Sequence, residues 1–297
     1  MLYDCMIIGG GIAGLQAAIQ LGRYQYKVLV IDDKNGRSNI CNCYHNLLGW
    51  PEGVSGKTLR LLGEQQAEKL NVQFQQQRVT SITKKDGGFQ ANTSDSYTFH
   101  SKRLLLATGV KDNIPPFPQL FPCLGISVFI CPDCDGYESA MKPTLVLGSG
   151  NAGANMALAL THWTNLITYI NHDNRRIEEE MSKQLAKKEI TIVTEPITSL
   201  HINEDLFQGV TVASGETLTA TTAFLAFGGN KVHTDLAEQL GVKLEHNKHI
   251  NVDVRTKMTN VENVWAAGDI VAHSEQVTIA MGDGVQAAIW IHKSLLE

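Results

Sequence analysis

The apolar positions of the chain gather into short runs closed by glycine, and one order of elements occurs twice. Leu2–Ile8 predicts a buried strand, Leu15–Gly22 a helix and Lys27–Ile31 a second strand. Thr58–Leu70 predicts a helix, and residues 72–106 alternate as strands, with Asp86-Gly87-Gly88 as a hairpin signal. The order then restarts: strand Pro143–Leu147, helix Ala154–His162, strand Leu166–Ile170, and strands near 190–194, 208–212 and 222–227. Val264-Trp265-Ala266 heads one more apolar strand, and a final helix is expected from about Gly284 to Leu296. Pro115-Pro116-Phe117-Pro118 breaks the pattern as a linker, and Gly36–Gly56 reads as a loop reaching over a ligand.

Both restarts carry the same glycines. Gly9, Gly11 and Gly14 follow the first strand in GxGxxG spacing, and Gly148, Gly150 and Gly153 follow the later one. The first glycine permits the tight turn, the second lets backbone approach a pyrophosphate, and the third lets the helix pack on the strand. Asp32 ends the second strand about 20 residues on, where an acid accepts hydrogen bonds from a ribose. This predicts an α/β chain of two dinucleotide-binding, Rossmann-like, three-layer domains, the second inserted into the first. The boundaries are 1–112 with 230–297, and 113–229. Gly268-Asp269 follows the Val264 strand, where a carboxylate can hold a ribityl hydroxyl, and the helix after it would aim its N-terminal amides at a flavin carbonyl.

Between the two fingerprints lies Cys131-Pro132-Asp133-Cys134-Asp135-Gly136. A Cys-x-x-Cys loop can close into an exchange-competent disulfide, and an adjacent carboxylate can carry the proton that exchange requires. Half a zinc site has the same spacing, but no second Cys-x-x-Cys or His pair lies where a tetrahedral set needs it. Cys41 and Cys43 are too close in sequence for an easy disulfide, and they and Cys123 receive no role. His45 and Asn46 could face a cofactor or belong to a solvated loop.

Composition changes this picture little. Net charge −5 and pI ≈ 6.1 offer no basic face for nucleic acid. The chain opens into a strand without a basic leader and holds no twenty-residue apolar span, so a cytoplasmic protein without membrane attachment is expected. In that compartment a disulfide is usually catalytic.

Taken in order, Gly9 to Gly14, Ala107-Thr108-Gly109, Cys131 to Gly136, the second fingerprint, Ala267-Gly268-Asp269 and Gln276 resemble the low-molecular-weight thioredoxin reductases over nearly the whole chain. The resemblance implies FAD on the discontinuous domain, held by Gly9, Gly11, Gly14, Asp32, Asn46, Gly268, Asp269 and Gln276. It implies that Cys131 attacks an external disulfide, Cys134 meets the flavin and Asp135 protonates the leaving thiolate. It also implies a thioredoxin-like partner, a homodimer and a nucleotide at Gly148, Gly150 and Gly153.

At one place the sequence departs from the family. NADPH-dependent members carry a His-Arg-Arg cluster after the second strand of the inserted domain. This chain has Asn171-His172-Asp173, and Asp173 has the wrong sign for a 2′-phosphate and the right type for a free ribose diol. Arg175 and Arg176 stand a few residues on, and Glu275 replaces the arginine that precedes Gln276 in the family. The expectation is therefore against NADPH, with NADH, a second FAD or ferredoxin as donor, as in divergent subfamilies without the NADPH motifs. The last helix ends at Glu297 without a tail over the flavin, which disfavours the cyanobacterial form among them. The rival readings are a ferredoxin- or flavodoxin-type flavin reductase, whose members lack the cysteine pair, and a non-catalytic flavin-binding protein.

Overall fold

A computed structural model describes residues 1–297, and its contacts divide them into two units. The first comprises Met1–Asn39, Gly56–Lys111 and Lys231–Glu297, and the second Ile40–Ser55 and Asp112–Asn230. Each is an α/β layer structure of the dinucleotide-binding kind.

The first unit is built on parallel strands in the order 73–76, 28–32, 2–8, 98–106, 264–266. Strands 79–85 and 88–93 continue the sheet antiparallel, turning where the Asp86-Gly87-Gly88 signal placed a hairpin. Leu2–Ile8 reads as a continuous apolar run because both of its faces are covered. Cys5 and Ile7 pack with Val28, Val30, Leu105 and Trp265 under the helices Ile12–Arg23 and Val277–Leu296, while Met6 and Ile8 pack with Leu29, Ile31, Ile82 and Phe89 on the opposite side. Each such side chain stabilises the fold by about 1.5–3 kcal/mol relative to exposure. The register pairs Ile8 with Ile31 and Leu106, and Leu106 with Ala266. Gly9, Asp32, Ala107 and Gly268 thus emerge along one sheet edge, where ligands of this fold bind.

The final helix begins at Val277, not near Gly284. Gly282 and Gly284 look like breakers in sequence, each costing about 1 kcal/mol against alanine. A Cβ on Gly284 would lie 2.3 Å from the Ala13 carbonyl oxygen, so this glycine allows two helices to touch. Burial of Ala280, Ala287, Ala288 and Ile291 along the same helix offsets the cost.

The second unit repeats the plan, with parallel strands in the order 191–193, 167–171, 144–148, 222–226, 128–129. Strand Leu206–Val212 pairs with Ile197–Asn203 and Thr217–Thr219 in an antiparallel meander. Neither flanking strand was expected, nor was the helix Glu179–Lys187, because their own residues are mostly polar. In that helix only Leu185 is buried.

Residues 40–55 group with this unit rather than with the rest of 1–112. The reason is local: the carbonyls of Phe121, Pro122 and Leu124 close the 3₁₀ turn Pro118–Cys123, and Asn42 Nδ2 donates to all three at 2.8, 3.1 and 3.0 Å. Backbone acceptors at a turn end need donors, and one asparagine supplies them.

Candidate active site

Strand Val128–Phe129 delivers the chain to Cys131, where Pro132, well suited to a first helical position, starts a four-residue helix to Asp135. Cys131 stands at its N-cap, and its sulfur accepts from the Cys134 amide at 3.2 Å. The two sulfurs are 2.6 Å apart and not covalently joined. The hydrogen bond from the Cys134 thiol, then the Cys134 amide, hold the Cys131 thiol below the usual range, against burial and the nearby charges of Asp135 and Asp133. Burial raises the thiols of Cys5, Cys41, Cys43 and Cys123, Cys41 to about 12. Cys131 thus has the lowered thiol that thiolate chemistry needs, in contrast to Cys5, Cys41, Cys43 and Cys123.

Burial also pushes the Asp135 carboxyl up to about 6; His45 opposes the shift and Glu138 adds to it. At that value the acid form is present near neutral pH, as a proton donor to a thiolate requires. Behind it, Gly136 packs so tightly on Trp163 that a Cβ would lie 2.5 Å from the ring. His45 lies 2.9 Å through Nε2 from the Gly125 carbonyl, which accepts, and its Nδ1 is 3.7 Å from Cys43 Sγ. Asn46 is exposed on the same loop, in the second unit. No group of three or more His, Cys, Asp or Glu side chains is placed to hold a metal ion.

The first glycine loop fits a dinucleotide. Gly9 sits at φ +105° with the Ala107 carbonyl 2.2 Å from where a Cβ would be, and a Cβ on Gly14 would meet the Gly9 carbonyl at 1.9 Å. Over Gly11 there is open space, with nothing within 4 Å of a Cβ. Gly10 backs on Asp32, and both line a cavity of ≈ 190 Å³ with Leu15, Arg60 and Phe74. Asp32 is ion-paired with Arg60 through one oxygen, which orients the carboxylate while its other oxygen can still accept from a ribose diol. Arg60 is 6% exposed and its Nη1 has no partner, whereas Leu61 and Leu62 of the same helix, Gly56–Glu68, are 57% and 40% exposed. Hydropathy points the wrong way here. The signal was positional, since Gly56, Arg60 and Ala67 are the residues that face inward.

Asp269 and Gln276 lie in the same unit. Arg37 Nη1 lies 3.0 Å from Asp269 Oδ2 and also pairs with Glu275, whose other oxygen is 3.3 Å from His249 Nε2. A cation is thus present beside Glu275 although the family's arginine is absent, brought by the 3₁₀ turn Arg37–Asn39, which sequence reading missed. Gln276 is the N-cap of the helix Val277–Leu296. Gly268, at φ +80°, donates its amide to buried Asp283 at 3.1 Å, and Asp283 also holds His273 at 2.5 Å and Lys257 at 2.8 Å. This cluster pins the turn that presents Asp269, and it too was not foreseen.

In the second unit Gly148, Gly150 and Gly153 stand on the turn from strand Thr144–Gly148 into helix Gly150–Leu160. Gly153 packs on the Tyr169 ring, whose hydroxyl donates to the Gly150 carbonyl at 2.7 Å. Asp173 accepts from the Ser149 hydroxyl at 2.9 Å and lies 3.7 Å from Arg175 Nε.

Comparison with known proteins places this geometry. A family model described as pyridine nucleotide-disulphide oxidoreductase matches residues 3–284. A thioredoxin reductase of Treponema pallidum is 28% identical over 96% of this chain and 95% of its own. Among solved structures, an oxidoreductase from Agrobacterium tumefaciens is 27% identical, with a TM-score of 0.82 over 100% of this chain and 99% of that one. The atypical thioredoxin reductase TRi from Desulfovibrio vulgaris Hildenborough is 28% identical, with a TM-score of 0.56 over 99% and 98%.

Proposed function

The chain belongs to the pyridine nucleotide-disulphide oxidoreductase family, and on that premise we propose that it is an FAD-dependent disulfide oxidoreductase. It exchanges electrons between flavin and the Cys131–Cys134 pair, and from there with a disulfide on a thioredoxin-like protein. The observation that carries this reading is the dithiol beside a carboxyl pushed up to about 6. The thiolate of Cys131 attacks one sulfur of the partner disulfide, forming a mixed disulfide and expelling a thiolate that Asp135 protonates. Cys134 then attacks Cys131 Sγ, closing the Cys131–Cys134 disulfide and releasing the partner's second thiol, so two electrons pass to the partner. FAD, when bound, supplies the two-electron reservoir that reopens the disulfide. The turn built by Gly9, Gly11 and Gly14 would take its pyrophosphate over Gly11, Asp32 would hold its adenosine ribose, and Asp269 with Gln276 its ribityl side.

Under this reading the donor is not NADPH. Asp173 stands where the 2′-phosphate would need cations, and the flanking Arg175 is 67% exposed and turned to Asp173. NADH, a second flavin and ferredoxin are the remaining donors. The reading places the chain in a reducing compartment, the cytoplasm, as a homodimer. No helix is long and apolar enough to cross a membrane.

The test is substitution of Cys131 and Cys134 by Ser in the FAD-loaded protein, with photoreduced flavin as the electron source. Loss of at least about 1,000-fold in reduction of a thioredoxin disulfide, with FAD content unchanged, is the expected result. Undiminished electron transfer to disulfide would sink the dithiol mechanism and favour a plain flavin reductase.

A further inference from the structure

In a dinucleotide fold the pyrophosphate rests on the first amides of the helix that follows the glycine turn, in space left by the second glycine. At Gly150, the counterpart of Gly11, that space is filled by the chain itself: a Cβ would lie 3.1 Å from Arg175 Cβ and 3.2 Å from the Arg176 carbonyl oxygen. Residues 171–178 leave the strand Ile167–Asn171 and fold back across the turn as a strap. Asn171, 2% exposed, joins the two, accepting from the Gly150 amide at 2.9 Å and donating to the Arg175 carbonyl at 2.7 Å. On one side of Gly150 the Ser149 hydroxyl donates to Asp173. On the other, Asn151 pairs twice with Glu178, donating to its carboxylate at 2.7 Å and accepting from its amide at 2.9 Å.

The strap therefore makes hydrogen bonds to all three residues that open the helix Gly150–Leu160, and it brings two carboxylates, Asp173 and Glu178, to that helix's positive end. Carboxylates there satisfy the helix dipole as phosphates would, and they repel a pyrophosphate that approaches. The family description implies a pyridine nucleotide, and the residues of this turn do not fit one. We propose that segment 171–178 is the resident occupant of the second glycine turn, so that the second unit holds neither NADPH, NADH nor a second FAD and serves to carry the dithiol. This rests on the disulfide-oxidoreductase reading only in what it says of the donor: of the candidates above, it leaves a carrier that does not use the second fingerprint.

The experiment uses the full FAD-loaded chain. Acid release should give one FAD per chain, and calorimetric titration with NADPH, NADH and ADP-ribose up to about 1 mM should show no saturable binding. Two FAD per chain, or saturable binding of any of the three, overturns the proposal. The double variant Asp173→Ala/Glu178→Ala alters two exposed side chains and removes both carboxylates. It should bind ADP-ribose at least tenfold more tightly than the parent, bringing the titration into the measurable range. A folded double variant that still binds nothing overturns repulsion by the two carboxylates as what keeps a nucleotide out. Nucleotide binding by the parent would leave the cysteine result standing, and a failed cysteine test would leave the nucleotide result standing, so the two readings fail separately.

Discussion

The two glycine turns have the same spacing and the same strand–turn–helix frame, yet Gly11 faces open space while Gly150 lies under Arg175 and Arg176. The difference is made by the path of the chain beyond the second strand of each unit. After Asp32 the chain turns away into the 3₁₀ turn Arg37–Asn39, and Arg60 from a separate helix holds the acid. After Asn171 the chain doubles back, with Asn171, Asp173 and Glu178 bonded to the turn itself. A fingerprint describes a cradle, and neighbouring chain decides whether anything can lie in it.

The comparison is broken most sharply at the glycines. Gly9→Ala puts a Cβ at φ +105° and 2.2 Å from a carbonyl, and is expected to cost about 4 kcal/mol and abolish FAD retention. Gly150→Ala, at φ +52° with contacts beyond 3 Å, should cost about 1–2 kcal/mol and leave FAD content unchanged. Thermal melts and flavin release after desalting read both, and equal FAD loss in the two variants would contradict the assignment of flavin to the first turn.

Asp135 comes next, since a covered second turn leaves the dithiol as its unit's chemistry. With its carboxyl pushed up to about 6, the protonated fraction falls as pH rises through that value, and exchange limited by this acid should decline about tenfold per pH unit above it. Asp135→Asn should slow the reaction by about 100-fold and flatten that limb; a variant profile that keeps the slope assigns the proton to another group. The acids of the two fingerprints give a smaller contrast. Asp32→Asn should weaken FAD binding by about 10- to 100-fold in fluorescence titration, and Asp173→Asn should not change it. FAD affinity falling equally in both would remove the distinction between the turns.

The smallest effect concerns the cluster that pins Gly268. The bond to Asp283 raises the His273 pKa against burial, so its contribution is fully present below the unfolded value of 6.5 and is lost as pH rises through the folded value. For Asp283, burial opposes ionisation, but bonds from His273 and Lys257 prevail and lower its pKa. Its contribution is present above 3.8 and is lost as pH falls through the folded value. The melting temperature of the parent should therefore drop relative to His273→Ala as pH rises above about 6.5, by a few degrees. Parallel curves for the two proteins would remove His273 from the linkage.

Much of the fold was legible because a strand covered on both faces must be a continuous apolar run, as Leu2–Ile8 and Thr144–Gly148 are, and because glycines at Gly9, Gly14 and Gly153 have no substitute where backbone or a ring lies within 2.2 Å. The Cys131–Cys134 pair and Asp135 were legible for a similar reason, since their chemistry is local: four residues of chain bring sulfur to sulfur. What stayed hidden depends on contacts distant in sequence. Arg60 is buried in a helix whose leucines are exposed, Arg37 reaches Asp269 and Glu275 across more than 200 residues of chain, and residues 40–55 follow the hydrogen bonds of Asn42 into the other unit. The sequence by itself determined that two dinucleotide cradles and one dithiol exist. Which cradle stands open was decided only by tertiary structure, because space over a glycine belongs to whichever segment packs there.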